Sequence, residues 1–314
     1  MISKSAFNIN NCAIGLQFTK NARTAWGHII ATMSTNSKTT LLLPSYIGRN
    51  DKEGSGVYDP VLAHSTDVCF YTIGEELEVD LASFEKNIIE NNVTVALVIH
   101  YFGFCRSDMN TIKTICTKHK VVLVEDCAHA FHLGVKDQII GNYGDYSFYS
   151  VHKYLPTNSG GVLKTNIQAL KLPSVLDEQK MTFSDLEIFS NSDFSLIASI
   201  RRNNYLEYVK RLSKNDNLDI LYSLDINDIP QTFPVRIKRD LREKLYFYLL
   251  ERDLPTVALY YRMIEEIDLT KFPLSGQISQ EILNFPVHQD TSIEDIETLT
   301  TAIDDFFKLV NYES

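Results

Sequence analysis

The chain has 314 residues, of which 44% are hydrophobic and 22% charged, and its formal net charge is -10 at pH 7. This composition is typical of a soluble globular protein that is long enough for one large and one smaller domain. The acidic balance excludes an extended nucleic-acid surface, which requires clustered lysine and arginine. No apolar run approaches the roughly 20 residues that cross a bilayer.

The cysteine pattern and the N-terminus indicate the compartment. The five cysteines are odd in number and scattered, and no two form a CxxC pair, so neither a disulfide framework nor a zinc site is expected. Residues 1–8 lack the apolar core of a signal peptide. The sequence therefore predicts a reduced, cytoplasmic protein. The cysteines are Cys12, Cys69, Cys105, Cys116 and Cys127.

The first half of the chain alternates strand-like and helix-like segments, as in a mostly parallel sheet flanked by helices. Residues 40–44 and 93–99 are aliphatic runs that predict buried strands. Between strands, residues 108–119 carry apolar side chains at helical spacing, and Ser107 or Asp108 is available as the N-cap. This pattern predicts a βαβ unit that ends near Asp126.

The predicted pattern of strands and helices changes in the second half of the chain. Residues 192–213 predict a helix that crosses toward a second domain. A strand over 233–237, a helix over 239–251 and a final helix over 292–310 then indicate a small α+β domain. The predicted domains are residues 1–212, which would bind the cofactor, and residues 213–314.

The most informative stretch runs from Val121 to Val162. The strand-like residues 121–124 lead into the sequence Glu-Asp-Cys-Ala-His-Ala at 125–130, which contains Asp126. Farther on, an alternating strand over 146–151 ends just before Lys153. Strand ends in an open α/β sheet are where ligands bind. A lysine that forms a Schiff base and an acid that pairs with a pyridinium nitrogen are what pyridoxal 5'-phosphate (PLP) requires.

In order and spacing these residues resemble the DegT/StrS family of PLP-dependent nucleotide-sugar aminotransferases. The motif residues are the 125–130 segment, Gly144-Asp145, Lys153 and the pair Gly160-Gly161, and the resemblance extends to residues 98–103 and 284–289. It implies an α/β fold, the PLP-dependent transferase fold type I, with a mostly parallel sheet flanked by helices and a smaller C-terminal α+β domain. It also implies a homodimer.

The resemblance assigns roles around the cofactor ring. Lys153 would be the Schiff-base lysine, Asp126 would contact the ring nitrogen, and His129 would lie near the ring hydroxyl. A hydrogen-bonded core histidine is the alternative for His129. Some relatives carry histidine in place of the lysine and catalyse dehydration, which draws attention to His152. Counting back from the glycine pair places Lys153 at the lysine position, and this favours transamination.

Two serines compete for the cofactor phosphate. The family places a serine five residues before the lysine, and here that residue is Phe148, which has no hydroxyl. Ser150 lies three residues before Lys153, and along a strand it shares a face with position 148. We therefore prefer Ser150 to Ser147.

A second phosphate contact is expected near the N-terminus. Residues 21–26 take the place of the family's Ser-Gly-Thr-Ala-Ala-Leu turn, which presents backbone N–H groups at the start of a helix. Ala22 lies in this turn. Arg23 would replace the missing hydroxyl by a charge-assisted contact.

Other family features are less well matched. Tyr46 is the nearest aromatic residue for stacking on the cofactor ring, although the register places Gly48 at that position. The family's Asn-x-Arg segment, which reaches the neighbouring subunit, has only a distant substitute in residues 201–205. Strand-end packing is the simpler interpretation of three further residues, His100, Tyr101 and His288.

The favoured function is a PLP-dependent aminotransferase that transfers an amino group to a keto sugar. The resemblance implies a nucleotide-linked sugar, an amino-acid donor such as glutamate and a place in polysaccharide biosynthesis. Two alternatives remain open. One is a PLP-dependent sugar dehydratase or lyase on the same scaffold, and the other is a non-catalytic partner protein that keeps the fold.

Overall fold

A computed structural model describes residues 15–34, 39–52, 54–64, 66–130, 133, 140–167 and 175–312. The predictions for residues 1–8 and for Cys12 lie outside these residues. The other cysteines all have free thiols. Within the described ranges, no helix combines the length and the apolar character that a membrane span requires.

The larger sheet has seven strands in the order β1-β7-β6-β5-β4-β2-β3. The neighbours from β3 to β6 pair in parallel, whereas β7 pairs antiparallel with both β6 and β1. The prediction of a mostly parallel sheet is therefore confirmed. The strands are β1 (Leu16–Thr19), β2 (Thr40–Pro44), β3 (Asp67–Tyr71), β4 (Val95–Ile99), β5 (Val122–Cys127), β6 (Tyr146–Ser150) and β7 (Gly161–Thr165).

Helices connect and flank these strands. Helix α4 follows β4, and Asp108 caps it by accepting a hydrogen bond from the Thr111 amide, as its sequence predicts. Asp80 caps α3 in the same way through the Ser83 amide. The helices of this half are α1 (Ala22–Ser34), α2 (Tyr58–Ala63), α3 (Leu81–Asn91), α4 (Met109–His119), α5 (Phe183–Asn191) and α6 (Phe194–Leu212).

The C-terminal third forms a smaller α+β region. Its antiparallel sheet has three strands in the order β10-β9-β8. Helix α6 packs against this region, and one continuous hydrophobic core includes residues of both sheets, for example Leu97 and Phe233. The elements are β8 (Leu218–Ile220), β9 (Thr232–Ile237), α7 (Arg242–Leu250), α8 (Pro273–Glu281), β10 (Ile282–Pro286) and α9 (Ile293–Tyr312).

Two element bounds differ from the sequence prediction for physical reasons. Strand β5 continues to Cys127 because it pairs with β4 and β6 on its two sides, so Asp126 lies inside the strand. The helix predicted over 239–251 begins only at Arg242, because Arg239 and Asp240 have positive φ angles of 59° and 53°. That backbone conformation is incompatible with a right-handed helix.

Candidate active site

A cavity of about 1040 Å³ opens at the carboxyl ends of the parallel strands. Parallel sheets place ligand sites at this edge. Strand ends, the start of α1 and a C-terminal segment all contribute to its wall. The lining residues include Asn21, Ala22, Arg23, Gly48, Asp126, Ala128, His129, Phe148, Ser150, His152, Lys153 and residues 257–261.

Asp126 is a buried carboxylate at the floor of this cavity. Its side chain accepts a hydrogen bond of 2.8 Å from the Ala128 amide. Burial raises its pKa from 3.8 to about 6, although that hydrogen bond and the nearby Lys153 act in the opposite direction. A buried carboxylate is costly unless a cation compensates for it. A cationic ring nitrogen in the cavity would meet this requirement.

Lys153 lies in a 3₁₀ turn that follows β6. A side chain of α6 hydrogen-bonds to its backbone. The buried Arg201 of α6 stacks over the ring of Tyr154 at 4.3 Å and donates a hydrogen bond of 3.1 Å to the Lys153 carbonyl. The same guanidinium donates to the carbonyls of Pro230 and Gln231 at 3.3 and 3.2 Å. The backbone of the turn is thus fixed to the C-terminal region.

Steric crowding explains why both residues of the pair Gly160-Gly161 are glycines. A Cβ atom at Gly161 would lie 2.2 Å from the backbone of Asn21, so only glycine allows α1 to begin against this strand. Gly160 has a φ of +148°, and a Cβ there would lie 2.6 Å from the Val151 side chain. The pair therefore brings the N-terminus of α1 and the turn that contains Lys153 together.

The buried position of His129 favours its neutral ring. Its Nδ1 accepts a long hydrogen bond of 3.4 Å from the Phe102 amide. Burial, and then the charge of Lys153, lower the pKa of His129 well below its ordinary value. A neutral ring that accepts at Nδ1 carries its proton on Nε2. His129 can therefore donate one hydrogen bond to an oxygen of a bound ligand.

The alternation of β6 separates the two candidate serines. Ser150 and Phe148 line the cavity. Ser147, which faces the other side of the strand, donates a hydrogen bond of 3.0 Å to the Gly141 carbonyl. Phe148 stacks on Trp26 of α1, with ring centroids 5.7 Å apart. The geometry favours Ser150 over Ser147 as a phosphate ligand.

The N-terminus of α1 forms the opposite wall. Asn21 caps the helix, with its Oδ1 accepting a hydrogen bond of 2.9 Å from the Thr24 amide. Ala22 and Arg23 line the cavity. The Arg23 guanidinium also lies 3.4 Å from the Asp59 carboxylate, and the two side chains are 40% and 42% exposed. Arg23 therefore has a competing carboxylate, which its sequence position did not indicate.

Tyr46 requires a correction. It is fully buried and is not among the residues that line the cavity. Its ring packs against Tyr101 and Tyr260, at centroid distances of 5.6 and 5.2 Å. Gly48 does lie in the cavity wall. The placement does not support Tyr46 as the residue that contacts the cofactor ring.

Glu125 has a structural role on the other face of β5. It accepts a hydrogen bond from His100 at 2.8 Å and others from the amides of Gly141, Tyr143 and Gly144. Burial alone would raise the pKa of Glu125, yet His100 and the amides of Gly144 and Gly141 hold that pKa below its ordinary value. The described residues that line the cavity do not include His100, Tyr101 or His288.

Residues 201–205 also lie away from the cavity. The Asn204 side chain donates a hydrogen bond of 3.0 Å to the Thr291 carbonyl, and Arg202 donates one of 2.6 Å to the Asp228 carbonyl. These contacts tie α6 to the C-terminal region. Within one chain, the segment does not take the place of the family's Asn-x-Arg residues at the cofactor.

Solved structures share the fold of this chain. Solved structures with the same fold include the aminotransferase TlmJ from Streptoalloteichus hindustanus, with a TM-score of 0.78, 17% identity and coverage of 95% of this chain and 87% of that chain. The aminotransferase PseC from Helicobacter pylori has a TM-score of 0.78, 15% identity and coverage of 93% and 86%. The predicted fold class is thereby confirmed.

Sequence comparison finds similarity to one family over part of the chain. Residues 57–173 match the DegT/DnrJ/EryC1/StrS aminotransferase family. The dTDP-3-amino-3,6-dideoxy-alpha-D-galactopyranose transaminase of Aneurinibacillus thermoaerophilus is 24% identical over 72% of this chain and 68% of its own length. GDP-perosamine synthase of Vibrio cholerae is 22% identical over 76% and 72%. Over residues 57–173 the chain is similar to the DegT/DnrJ/EryC1/StrS aminotransferases, as the motifs indicated.

Proposed function

We propose that the protein is a PLP-dependent aminotransferase that transfers an amino group from an amino acid, glutamate in the first instance, to a nucleotide-linked keto sugar. The observation that carries this proposal is the convergence of Asp126 and Lys153 on one cavity beside a helix N-terminus. The two relatives named for dTDP- and GDP-linked sugars support the substrate class.

The residues present fit the cofactor. When bound, PLP supplies an electron sink for amino-group transfer. Asp126, a buried carboxylate with a raised pKa, would keep the ring nitrogen protonated, and Nε2 of His129 would donate to the ring oxygen. Ser150 and the first amides of α1 would hold the phosphate. Lys153 would bind the cofactor aldehyde and, when released, move a proton as general acid and base.

The cavity wall also accommodates a charged substrate. Besides Lys153 and Arg23, three lysine and arginine residues line it, although the chain as a whole is acidic. A local cluster of lysine and arginine favours phosphate oxygens at a site where the net charge of the protein does not. We propose that this wall faces the nucleotide diphosphate. The residues are Lys20, Arg49 and Lys52.

The visible absorption spectrum tests the proposal. Protein reconstituted with PLP should show a visible band that shifts when glutamate is added, because the donor amine displaces the lysine and leaves the cofactor aminated. A dehydratase is distinguished by its sugar product, which would have lost water and would carry no nitrogen from glutamate, whereas the aminotransferase product would carry that nitrogen. Absence of any PLP binding would leave only the non-catalytic alternative.

Arg23 provides a prediction about the phosphate. Arg23→Ala should weaken PLP affinity by about 1.5 kcal/mol, roughly tenfold, at the lower end for a hydrogen bond to a charged group because the side chain is partly exposed. Asp59→Asn is the matched control, since it removes the competing carboxylate and should strengthen binding. Titration of apoprotein with PLP measures both. Equal dissociation constants for wild type, Arg23→Ala and Asp59→Asn would show that Arg23 does not contact the phosphate and serves only in its ion pair with Asp59.

We also propose a homodimer with the cofactor near the subunit boundary, on the basis of the family resemblance. Residues 201–205 are engaged within the chain, so other residues would form the contact. Light scattering of the PLP-bound protein at micromolar concentration should give the mass of a dimer. A monomer that still binds PLP would contradict this expectation.

The cytoplasm remains our proposed location. The free thiols of four cysteines support a reducing compartment.

A further inference from the structure

Tyr260 occupies a distinctive position in the cavity wall. It lines the cavity together with Asp126 and His129, and its ring meets the His129 ring edge-on at a centroid distance of 5.8 Å. Another aromatic residue of the wall, Phe148, is stacked on Trp26. Tyr260 thus brings an aromatic ring beside the two groups that would hold the edge of a pyridine ring.

Gly48 makes room for this ring. A Cβ atom on Gly48 would lie 2.6 Å from Cδ1 of Tyr260 and 3.1 Å from its Cα. The second contact is to backbone, so rotation of the tyrosine side chain alone would not relieve the crowding. The sequence has a glycine where the resemblance expects an aromatic residue, and the space beside it is filled by an aromatic residue from a distant segment.

The backbone of this segment is held in an uncommon conformation. Tyr260 has a φ of 62°, a left-handed value that is rare for a bulky residue. Its segment is fixed to the strand end beside Gly48, because Arg49 donates a backbone hydrogen bond to Arg262 and Ile264 donates one to Ile47, at 2.9 and 3.0 Å. Strained residues that the surrounding structure holds in place cluster at ligand sites.

Three neighbouring aromatic rings pack against the ring of Tyr260. The rings of Tyr46, Tyr101 and Phe102 lie at centroid distances of 5.2, 5.6 and 5.9 Å from it. This packing restricts the tyrosine ring, so little conformational entropy remains to be lost when a ligand packs against it.

We propose that Tyr260 supplies the aromatic surface against which the pyridine ring of the cofactor lies, in the place where the neighbouring strand end has only Gly48. The inference rests on the proposed function, since it requires PLP in the cavity. It makes the C-terminal segment around residue 260 part of the cofactor site.

The test uses pyridoxamine 5'-phosphate, which has no aldehyde and cannot bond covalently to Lys153, so that its affinity reports the non-covalent contacts. Tyr260→Phe keeps the ring and should keep the affinity within about twofold. Tyr260→Ala removes it and should weaken binding about tenfold or more, the scale of an aromatic stack on a heterocyclic base. Thermal melting of each apoprotein verifies that the variants are folded.

A second part of the binding test uses Gly48→Ala, which leaves Tyr260 itself unchanged. It should weaken pyridoxamine 5'-phosphate binding in the wild-type background, because the added methyl group displaces the ring, and have a smaller effect in Tyr260→Ala. Equal or tighter binding by Tyr260→Ala overturns the inference, since the ring would then be irrelevant or an obstruction. If the wild-type protein binds neither cofactor form, both the inference and the proposed function fail. If it binds both, only the role of Tyr260 is in question.

Discussion

Replacement of Lys153 by alanine is expected to abolish both the visible band of the PLP-bound protein and its transaminase activity. The variant removes the amine that we propose bonds to the cofactor aldehyde and, when released, moves the proton. The spectrum after reconstitution with PLP and removal of free cofactor measures the first effect. Release of 2-oxoglutarate from glutamate measures the second.

Two other lysines of the same cavity serve as matched controls. Lys20 and Lys52 line the wall, so their alanine variants also remove an amine from the site without removing the proposed bond. Both variants should retain the visible band. A band that survives in Lys153→Ala but disappears in one of these variants would show that the covalent bond forms at a different lysine.

Replacement of Asp126 by asparagine is expected to reduce turnover by orders of magnitude while preserving the fold. The amide oxygen can still accept the hydrogen bond from the Ala128 amide. It cannot hold the ring nitrogen protonated, so the cofactor becomes a poor electron sink. Steady-state turnover at saturating PLP decides the point, and near-normal activity would contradict the assignment.

Asp126→Asn, which should impair turnover, should increase the folding stability of the apoprotein. The direction of this change follows from the pKa of Asp126. The folded protein raises the pKa of Asp126 from 3.8 to about 6, so ionisation of this group opposes folding as pH rises through that interval. The asparagine side chain does not ionise. Apo Asp126→Asn should therefore be more stable than wild type at neutral pH, by at most about 3 kcal/mol. The difference should shrink as the pH falls and vanish below the unfolded pKa of 3.8, and chemical denaturation from neutral pH to about pH 3 measures it.

Much of the large sheet could be predicted from the sequence because its signals are local. Helix α4 has apolar residues at helical spacing and an aspartate at its N-cap, and both features lie within a dozen positions. Asp126, Ser150 and Lys153 were found because strand alternation and a glycine pair fix their relative positions over one short stretch. Their roles at the cofactor stay predictions.

The rest of the site depends on contacts between distant parts of the chain. No local pattern links Gly48 to Tyr260. The structure does not support Tyr46 at the cofactor ring, because the chain after β2 turns its side chain into the core. The ion pair of Arg23 with Asp59 joins two helices whose relative position the sequence does not state. The glycine at position 48 marks the close approach of Tyr260, but the partner of that glycine can be named only from the folded structure.

The buried Arg201 joins the turn that contains Lys153 to the carbonyls of Pro230 and Gln231. No carboxylate is hydrogen-bonded to its guanidinium among the contacts described, so its charge is solvated by carbonyl oxygens and the Tyr154 ring. Loss of the C-terminal fold would leave that charge without its acceptors and the reactive turn without its support. Cooperativity follows: the backbone of the turn that contains Lys153 depends in part on the C-terminal region, and we expect this end of the cavity to be fully ordered only when the last third of the chain has folded.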